Sequence, residues 1–276
     1  MLALATCDRA RDLDADLRLL QLHLPEARSV GWDDPNVDWG SFALVVIRST
    51  WDYHERRDEF IRWARRVEAV SILWNPIELI EWNTDKRYLI DLSRREIPIV
   101  PTRFVEPAVP APIELEGDLV VKPSVGAGSN GVIRTRGDVE LARHHLATLH
   151  ARGLTAMVQS YMSAIDTAGE TDLVLIGGEY SHAVHKAPLL AGSVDFEPGL
   201  YAEEQIEPRQ PTPIEIAIGE QVVAALPATA YARIDLLPTE HGPVVLEVEL
   251  TEPSLYLEFD EAAAERAAAV FRSLAP

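Results

Sequence analysis

Residues 118–134 read DLVVKPSVGAGSNGVIR: an apolar run ending in one lysine, a loop carrying G-x-G-x-x-G, and a second extended run. Glycines in such a loop let backbone N–H groups approach anionic oxygens without side chains intervening, which suits a phosphate chain. The context of the loop decides which fold surrounds it. A dinucleotide-binding turn would open a helix after the last glycine, whereas Val132, Ile133, Arg134 and Thr135 favour a strand. A Walker loop would place Lys and Ser or Thr where Val132 and Ile133 stand. A protein kinase folds a glycine-rich hairpin over ATP, but its lysine lies on a later strand, and the chain has no H-R-D loop or D-F-G. What remains is a strand, loop and strand with Lys122 on the entering strand. A glycine-rich hairpin without a ligand is the alternative that this segment alone leaves open.

A chain of 276 residues exceeds the usual single-domain size, so two or more lobes are expected. Its formal net charge of -19 argues against a general nucleic-acid or anionic-membrane binder, since both need a basic surface. Cys7 is the only cysteine, so no internal disulfide can form and a cytoplasmic location is expected. The first residues turn charged after an apolar stretch too short for a signal-peptide core, and no later run is long enough to span a bilayer.

Residues 2–6 and 42–47 (FALVVI) have the unbroken apolar character of buried parallel strands, with a helical stretch at 10–23 between them. A second helical stretch, 55–70, leads to a strand at 70–74. This β-α-β-α-β order predicts a small open α/β domain. Asn75-Pro76 breaks the pattern; 84–95 reads as helix, 97–104 as extended and proline-punctuated, and 138–151 as helix. Strands are expected at 155–161, 171–176, 179–186, 230–237 and 243–250, with helices at 213–225 and 260–274. The expectation is an α/β domain followed by an α+β region whose strands run mostly antiparallel.

Strand periodicity puts Arg233 and Asp235 on one face, and Glu247 and Glu249 on one face of the next strand. Three acids then converge beside one arginine. Clustered carboxylates repel unless a cation lies among them, and oxygen ligands suit Mg2+ bridging phosphates. Solvated positions on the open face of a sheet would give the same alternation. Lysine is scarce while arginine is plentiful, and Lys86, Lys122 and Lys186 each fall near a stretch already singled out. A mobile ammonium serves phosphate as a point charge.

Taken in order, N-T-D-K ending at Lys86, V-V-K-P at Lys122 with its glycine loop, Q-S-Y-M at 159–162, Glu170, Lys186, R-I-D and E-V-E resemble the ATP-grasp superfamily, on its glutathione-synthetase and ribosomal-protein-S6-modifying branch. The resemblance covers nearly the whole chain. It implies an ATP-grasp fold over 84–276, with 113–162 as a small lid subdomain, preceded by a Rossmann-like α/β domain over 1–83. By resemblance, Lys86 and Lys122 would contact phosphates, and Ser124, Gly126, Gly128, Ser129, Asn130 and Gly131 would belong to the lid loop. Gln159, Ser160, Tyr161 and Met162 would form the adenine hinge, with Glu170 on the ribose. Lys186 and Arg233 would neutralise the transferred phosphate, and Asp235, Glu247 and Glu249 would hold Mg2+. Two departures stand out: Glu249 replaces a common asparagine, and Gln159-Ser160 replaces frequent acids.

The resemblance also implies the chemistry. A carboxylate attacks the γ-phosphate of ATP to give an acyl phosphate, and an amine displaces phosphate, leaving an amide, ADP and Pi. No covalent nucleophile is required, so Cys7 is expected to pack in the first strand. The substrate would be a small amino-acid-like compound, and a homo-oligomer is allowed. Arg48, Ser49 and Thr50 follow the FALVVI strand, at the strand end where open α/β sheets place ligand loops. Arg48 would pair with a substrate carboxylate; a helix cap and a Trp51 packing seam are the alternative there. Glu252 and Ser254 occupy the stretch that lies against the second substrate in this family. Within it, the chain resembles cyclising ligases that make D-cycloserine from O-ureido-D-serine. An intermolecular amino-acid ligase and a non-catalytic ATP-binding module are the competing readings.

Overall fold

The computed structural model describes residues 1–107, 114–127, 131–187 and 205–276. Strands β1 (Leu2–Thr6), β2 (Ala27–Gly31), β3 (Leu44–Ser49) and β4 (Ile72–Trp74) form a parallel sheet in the order β2-β1-β3-β4. Helices α1 (Ala15–His23) and α2 (Arg57–Glu68) cover it. β1 and β3 are buried along their whole length, which is why they read as continuous apolar runs. β2 was not anticipated: this edge strand leaves Arg28 exposed, so its sequence carries no apolar run. Helix α1 also starts later than expected, because the Asp14 carboxylate accepts from the Asp16 N–H at 2.9 Å and caps it there.

A further unanticipated helix, α3 (Ile77–Asn83), begins straight after Asn75-Pro76, with Pro76 extended at its N-cap; the proline starts a helix there as well as ending a strand. α4 (Tyr88–Arg94) is shorter than its sequence pattern, leaving Lys86 in the turn before it.

A second sheet follows from β5 (Thr102–Val105), β6 (Leu119–Pro123), β7 (Ile133–Arg134) and β8 (Ala156–Ser160), in the order β5-β8-β6-β7. Its pairs are all antiparallel. Val120 faces Arg134 and Val121 faces Ile133, so the strands flanking the glycine loop do form a hairpin. Helix α5 (Val139–Ala151) packs on this sheet through Ala142 and Leu149. After the single-turn α6 (Ile165–Ala168) comes the third sheet, built from β9 (Glu170–Ile176), β10 (Glu179–Lys186), β11 (Ile206–Pro208), β12 (Tyr231–Leu237) and β13 (Val244–Glu249). Its order is β11-β10-β9-β12-β13, antiparallel throughout. Helices α7 (Pro213–Ala224) and α8 (Ala263–Ser273) complete the chain.

Alternation divides the third sheet cleanly. Leu173, Ile234, Leu236 and Val248 pack with Ile218 and Val222 of α7 and with Leu79 and Leu89 of α3 and α4. The opposite face is apolar at one end, where Val174, Ile176 and Tyr231 meet α8 and the first sheet, and charged at the other. Two buried asparagines join the first sheet's connections to this one. Asn75 Nδ2 donates to the carbonyls of Tyr231 (3.0 Å) and Leu250 (2.7 Å), and its Oδ1 accepts from Ala230 N–H (2.7 Å). Asn83 Nδ2 donates to Val248 O (2.6 Å), and its Oδ1 accepts from Leu250 N–H (2.8 Å). Asn75→Ala leaves three buried backbone groups unpaired and is expected to cost about 3–5 kcal/mol, read as a lowered urea midpoint at unchanged m-value. A midpoint equal to wild type would show that water replaces the amide.

Candidate active site

The chain contains three lysines, and all three line one cavity of about 590 Å3 between the second and third sheets. Lys122 comes from β6, Lys186 from the end of β10 and Lys86 from the turn before α4. Arg233, Asp235, Glu247 and Glu249 enter from β12 and β13, whose register sets Arg233 opposite Glu249 and Asp235 opposite Glu247. Solvated positions on an open face are therefore ruled out: Asp235 and Arg233 are buried. Glu170 stands opposite Lys186 on β9. Gly169, just before it, has φ 63°, and a Cβ there would lie 2.4 Å from the Lys186 carbonyl, so only glycine lets the two strands close at this point.

The charges are mutually engaged. Lys86 Nζ lies 2.9 Å from Glu247 Oε1 and donates to the Gly126 carbonyl at 2.7 Å, tying the glycine loop to β13. Lys122 Nζ is 4.0 Å from the other Glu247 oxygen. Arg233 holds Asp235 in a fork, Nε–Oδ1 2.8 Å and Nη2–Oδ2 3.0 Å, and reaches Glu249 at 2.5 Å. Burial raises the Glu249 carboxyl, with Asp235 and Glu247 adding to the effect against the pull of Arg233, and leaves it at about 7. Burial acts in the same direction on Glu247, but Lys86 and Lys122 outweigh it and hold that carboxyl below its usual value. Burial depresses Lys122; Lys186 is also desolvated, yet Asp172 and Glu170 drive it well upward.

Asp172 was missed by the sequence reading, although it lies two residues beyond Glu170 and hence on the same strand face. It is completely buried, 3.7 Å from Arg233 Nε and 4.0 Å from Lys186 Nζ. Neither of its oxygens has a hydrogen-bond partner among the described residues. Oxygens of Glu170, Asp172 and Asp235 lie within 4.8 Å of one another. Six acids (Glu170, Asp172, Asp235, Glu247, Glu249, Glu252) face four cations (Lys86, Lys122, Lys186, Arg233) in this region. The surplus of two negative charges and the orphaned Asp172 oxygens fit a donor set built for a hard divalent cation.

The other end of the cavity is apolar. Val100, Ile165 and Leu237 pack with Tyr161, Met162 and Leu246 to form this apolar end. Gln159 and Ser160 also line the cavity, with the Gln159 amide donating to Thr102 Oγ1 at 2.9 Å. Gly126 reaches the wall; Ser124 is buried with its carbonyl accepting from Lys86 N–H at 2.8 Å, and the Gly131 carbonyl bonds the His145 ring at 2.8 Å. Gly128, Ser129 and Asn130 lie outside the described residues.

On the substrate side the structure corrects one expectation. Arg48, Ser49 and Thr50 do not reach the cavity wall; Trp51, Tyr53, Glu252, Ser254 and Tyr256 do. Arg48 is 1 % exposed, paired with Asp16 at 3.5 Å, donating to Pro253 O at 2.7 Å and stacked 5.0 Å from the Tyr231 ring centroid. Ser49 hydroxyl bonds Thr6 hydroxyl at 2.8 Å, and Thr50 is fully buried. Arg48 thus braces the loop of residues 251–257 from behind. Asp16 completes the brace by accepting from Leu255 N–H (2.5 Å) and Leu257 N–H (2.9 Å). This long-range pairing left no local mark in the sequence.

Because the folded-state Glu249 carboxyl titrates near 7, above its unfolded value, the native state binds the proton more tightly. The stability of the metal-free, nucleotide-free chain therefore falls as pH rises from about 4.3 through 7 relative to Glu249→Gln, by about 2 kcal/mol or more. Parallel urea titrations of both proteins across this window test it; a constant difference would remove the shift.

Residues 2–75 match the model of the D-cycloserine synthetase DcsG N-terminal domain. The cycloserine biosynthesis protein DcsG of Streptomyces lavendulae is 35% identical over 298 residues, which cover 96% of this chain and 96% of that protein. The crystal structure of D-cycloserine synthetase DcsG superposes with a TM-score of 0.87 at 33% identity, covering 99% of each chain. A RimK-domain ATP-grasp protein from Sphaerobacter thermophilus shares the fold, with a TM-score of 0.69 at 17% identity over 99% of this chain and 98% of the other. An α/β sheet leading into two antiparallel sheets that clasp a charged cavity, together with likeness along nearly the full length, makes the chain a member of the D-cycloserine synthetase DcsG family of ATP-grasp ligases.

Proposed function

We propose that this ligase closes D-cycloserine from O-ureido-D-serine at the cavity between the second and third sheets, using ATP. The observation that carries the proposal is the polarity of that cavity: an apolar slot at one end, and four cations with their acids at the other. Adenine takes the slot of Val100, Ile165, Met162, Leu237 and Leu246, with backbone groups of 159–162 at its edge and Glu170 toward the ribose. Lys86, Lys122 and the lid loop receive the phosphates. Residues 84–276 form the nucleotide-binding unit in this reading, with 113–162 as its lid and 1–83 bringing Trp51 and Tyr53 to the substrate. Asp235, Glu247 and Glu249, with Asp172 and Glu170 beside Asp235, would hold Mg2+, which when bound would supply neutralisation of phosphate charge and polarisation of the transferred group.

Arg233 and Lys186 flank the acyl acceptor side. They neutralise charge as a substrate carboxylate oxygen attacks the γ-phosphorus and ADP departs. The nitrogen bonded to the side-chain oxygen then attacks the acyl carbon, forming the ring C–N bond as phosphate leaves. Atom balance requires the carbamoyl group to leave with water, as carbon dioxide and ammonia. The enclosed wall of Trp51, Tyr53 and Tyr256 limits competing hydrolysis of the acyl phosphate.

Two measurements test this. ADP release should depend on O-ureido-D-serine alone, with D-cycloserine identified by mass; a requirement for a second amino acid would establish intermolecular ligation instead, and ATP binding without turnover would establish a silent module. Lys122→Ala should weaken ATP binding by about tenfold or more, as expected for loss of a charge-assisted contact. Unchanged ATP affinity would remove Lys122 from the site.

A further inference from the structure

The cavity wall contains one carboxylate that the phosphate machinery does not use. Asp235 and Glu249 are committed to Arg233, Glu247 to Lys86, and Glu170 stands opposite Lys186 in the β9–β10 register. Glu252 lines the same cavity, and its carboxylate makes no hydrogen bond or ion pair among the described residues. Its main chain is anything but loose. The Glu252 carbonyl accepts from Trp51 Nε1 at 3.3 Å, the next carbonyl accepts from Arg48, and the Ser254 carbonyl accepts from Arg233 Nη1 at 3.3 Å. Behind them, Asp16 fixes the N–H groups of Leu255 and Leu257, and the Tyr231 hydroxyl lies 2.9 Å from the Thr251 carbonyl.

A loop held at this many points presents the Glu252 side chain in a fixed place, half-buried, beside Trp51, Tyr53 and Tyr256. Holding an ionised carboxylate against protein without a counter-charge is unfavourable unless a ligand supplies the cation. The neighbouring cation, Lys86, is already shared between Glu247 and the Gly126 carbonyl.

We infer that Glu252 binds the α-ammonium group of the amino-acid substrate, setting its stereocentre while the carboxylate of the same molecule lies toward Arg233 and Lys186. The inference rests on the ligase reading above and adds to it the side chain that recognises the substrate's ammonium group. An α-ammonium is separated from its carboxylate by a single carbon, so one recognition group must stand close to the phosphate-side cations. Glu252 meets that condition: it shares the cavity wall with Arg233 and Lys186, and burial raises its carboxyl, on which Lys86 and Arg233 both act electrostatically.

The test compares wild type, Glu252→Gln and Glu252→Asp in the ADP-release assay with Mg2+ATP. With O-ureido-D-serine, Glu252→Gln should raise KM about 10- to 100-fold, as for loss of one charge-assisted contact. Its kcat and its ATP affinity should change little, and Glu252→Asp should recover part of the loss. The desamino analogue, which has hydrogen in place of the ammonium, should serve wild type and Glu252→Gln equally poorly. Equal KM values for wild type and Glu252→Gln, or a desamino compound that performs as well as the amino acid on wild type, would overturn the role of Glu252. Should wild type ignore O-ureido-D-serine, that substrate falls. The same ratios would then be taken on whichever member of a D- and L-amino-acid panel gives the fastest ADP release, so that the role of Glu252 is decided separately.

Discussion

The register of β12 on β13 is the constraint from which the site follows. Arg233 opposite Glu249 and Asp235 opposite Glu247 place four ionisable groups on one face, while Ile234 and Val248 between them enter the core under α7. The side-chain period of a strand is two, so a slip of one residue in either strand would drive its two charges into that core and set its isoleucine or valine on the cavity wall. Burial of one face therefore enforces the register, and the register builds the other face. The site is a by-product of core packing on the opposite side of the same strands.

The cost of gathering desolvated charges is met in two ways. Most are neutralised pairwise: the Arg233 fork on Asp235, and Lys86 on Glu247. The remainder stays unfavourable, visible in Glu249 driven to about 7 by burial and its acidic neighbours and in Asp172, whose oxygens have no hydrogen bond among the described residues. A preorganised site of this kind holds its polar groups in place before the ligand arrives, so little reorganisation remains at the moment of reaction. The stability that this arrangement gives up is supplied at the seams, where Asn75 and Asn83 satisfy backbone groups of β12 and β13 from the connections of the first sheet.

What could be read in advance divides along the same lines. Periodicity revealed the strands that carry Arg233, Asp235, Glu247 and Glu249, because their alternation is local. The hairpin around the glycine loop was legible for the same reason. Edge strand β2 escaped because half-exposed strands carry no apolar run, and α3 because a proline reads as a break before it reads as a helix start. Arg48 was misplaced by a more instructive route. Trp51 and Tyr53, past the carboxyl end of β3, do line the cavity, but Arg48 is still within β3, and its partners Asp16 and Pro253 are 32 residues before it and 205 after it. No pattern near residue 48 could announce that pairing.

The two ends of the cavity are built with different mechanical means, and this bears on how such a fold can change what it acts on. The phosphate end stands on strands whose register is locked by a buried core, so its geometry cannot drift without unfolding the sheet. The substrate end stands on two loops, at the end of β3 and after β13, that are positioned by a compact buried brace of Asp16, Arg48 and Tyr231. Trp51, Glu252 and Ser254 face the cavity from these loops, and Trp51 also ties the two together by donating to the Glu252 carbonyl. Removing any one of Arg48, Asp16 and Tyr231 leaves a buried charge or backbone group unpaired. In the proposed reading, substrate choice falls to a handful of side chains on a rigid support, and phosphate transfer to the sheet itself.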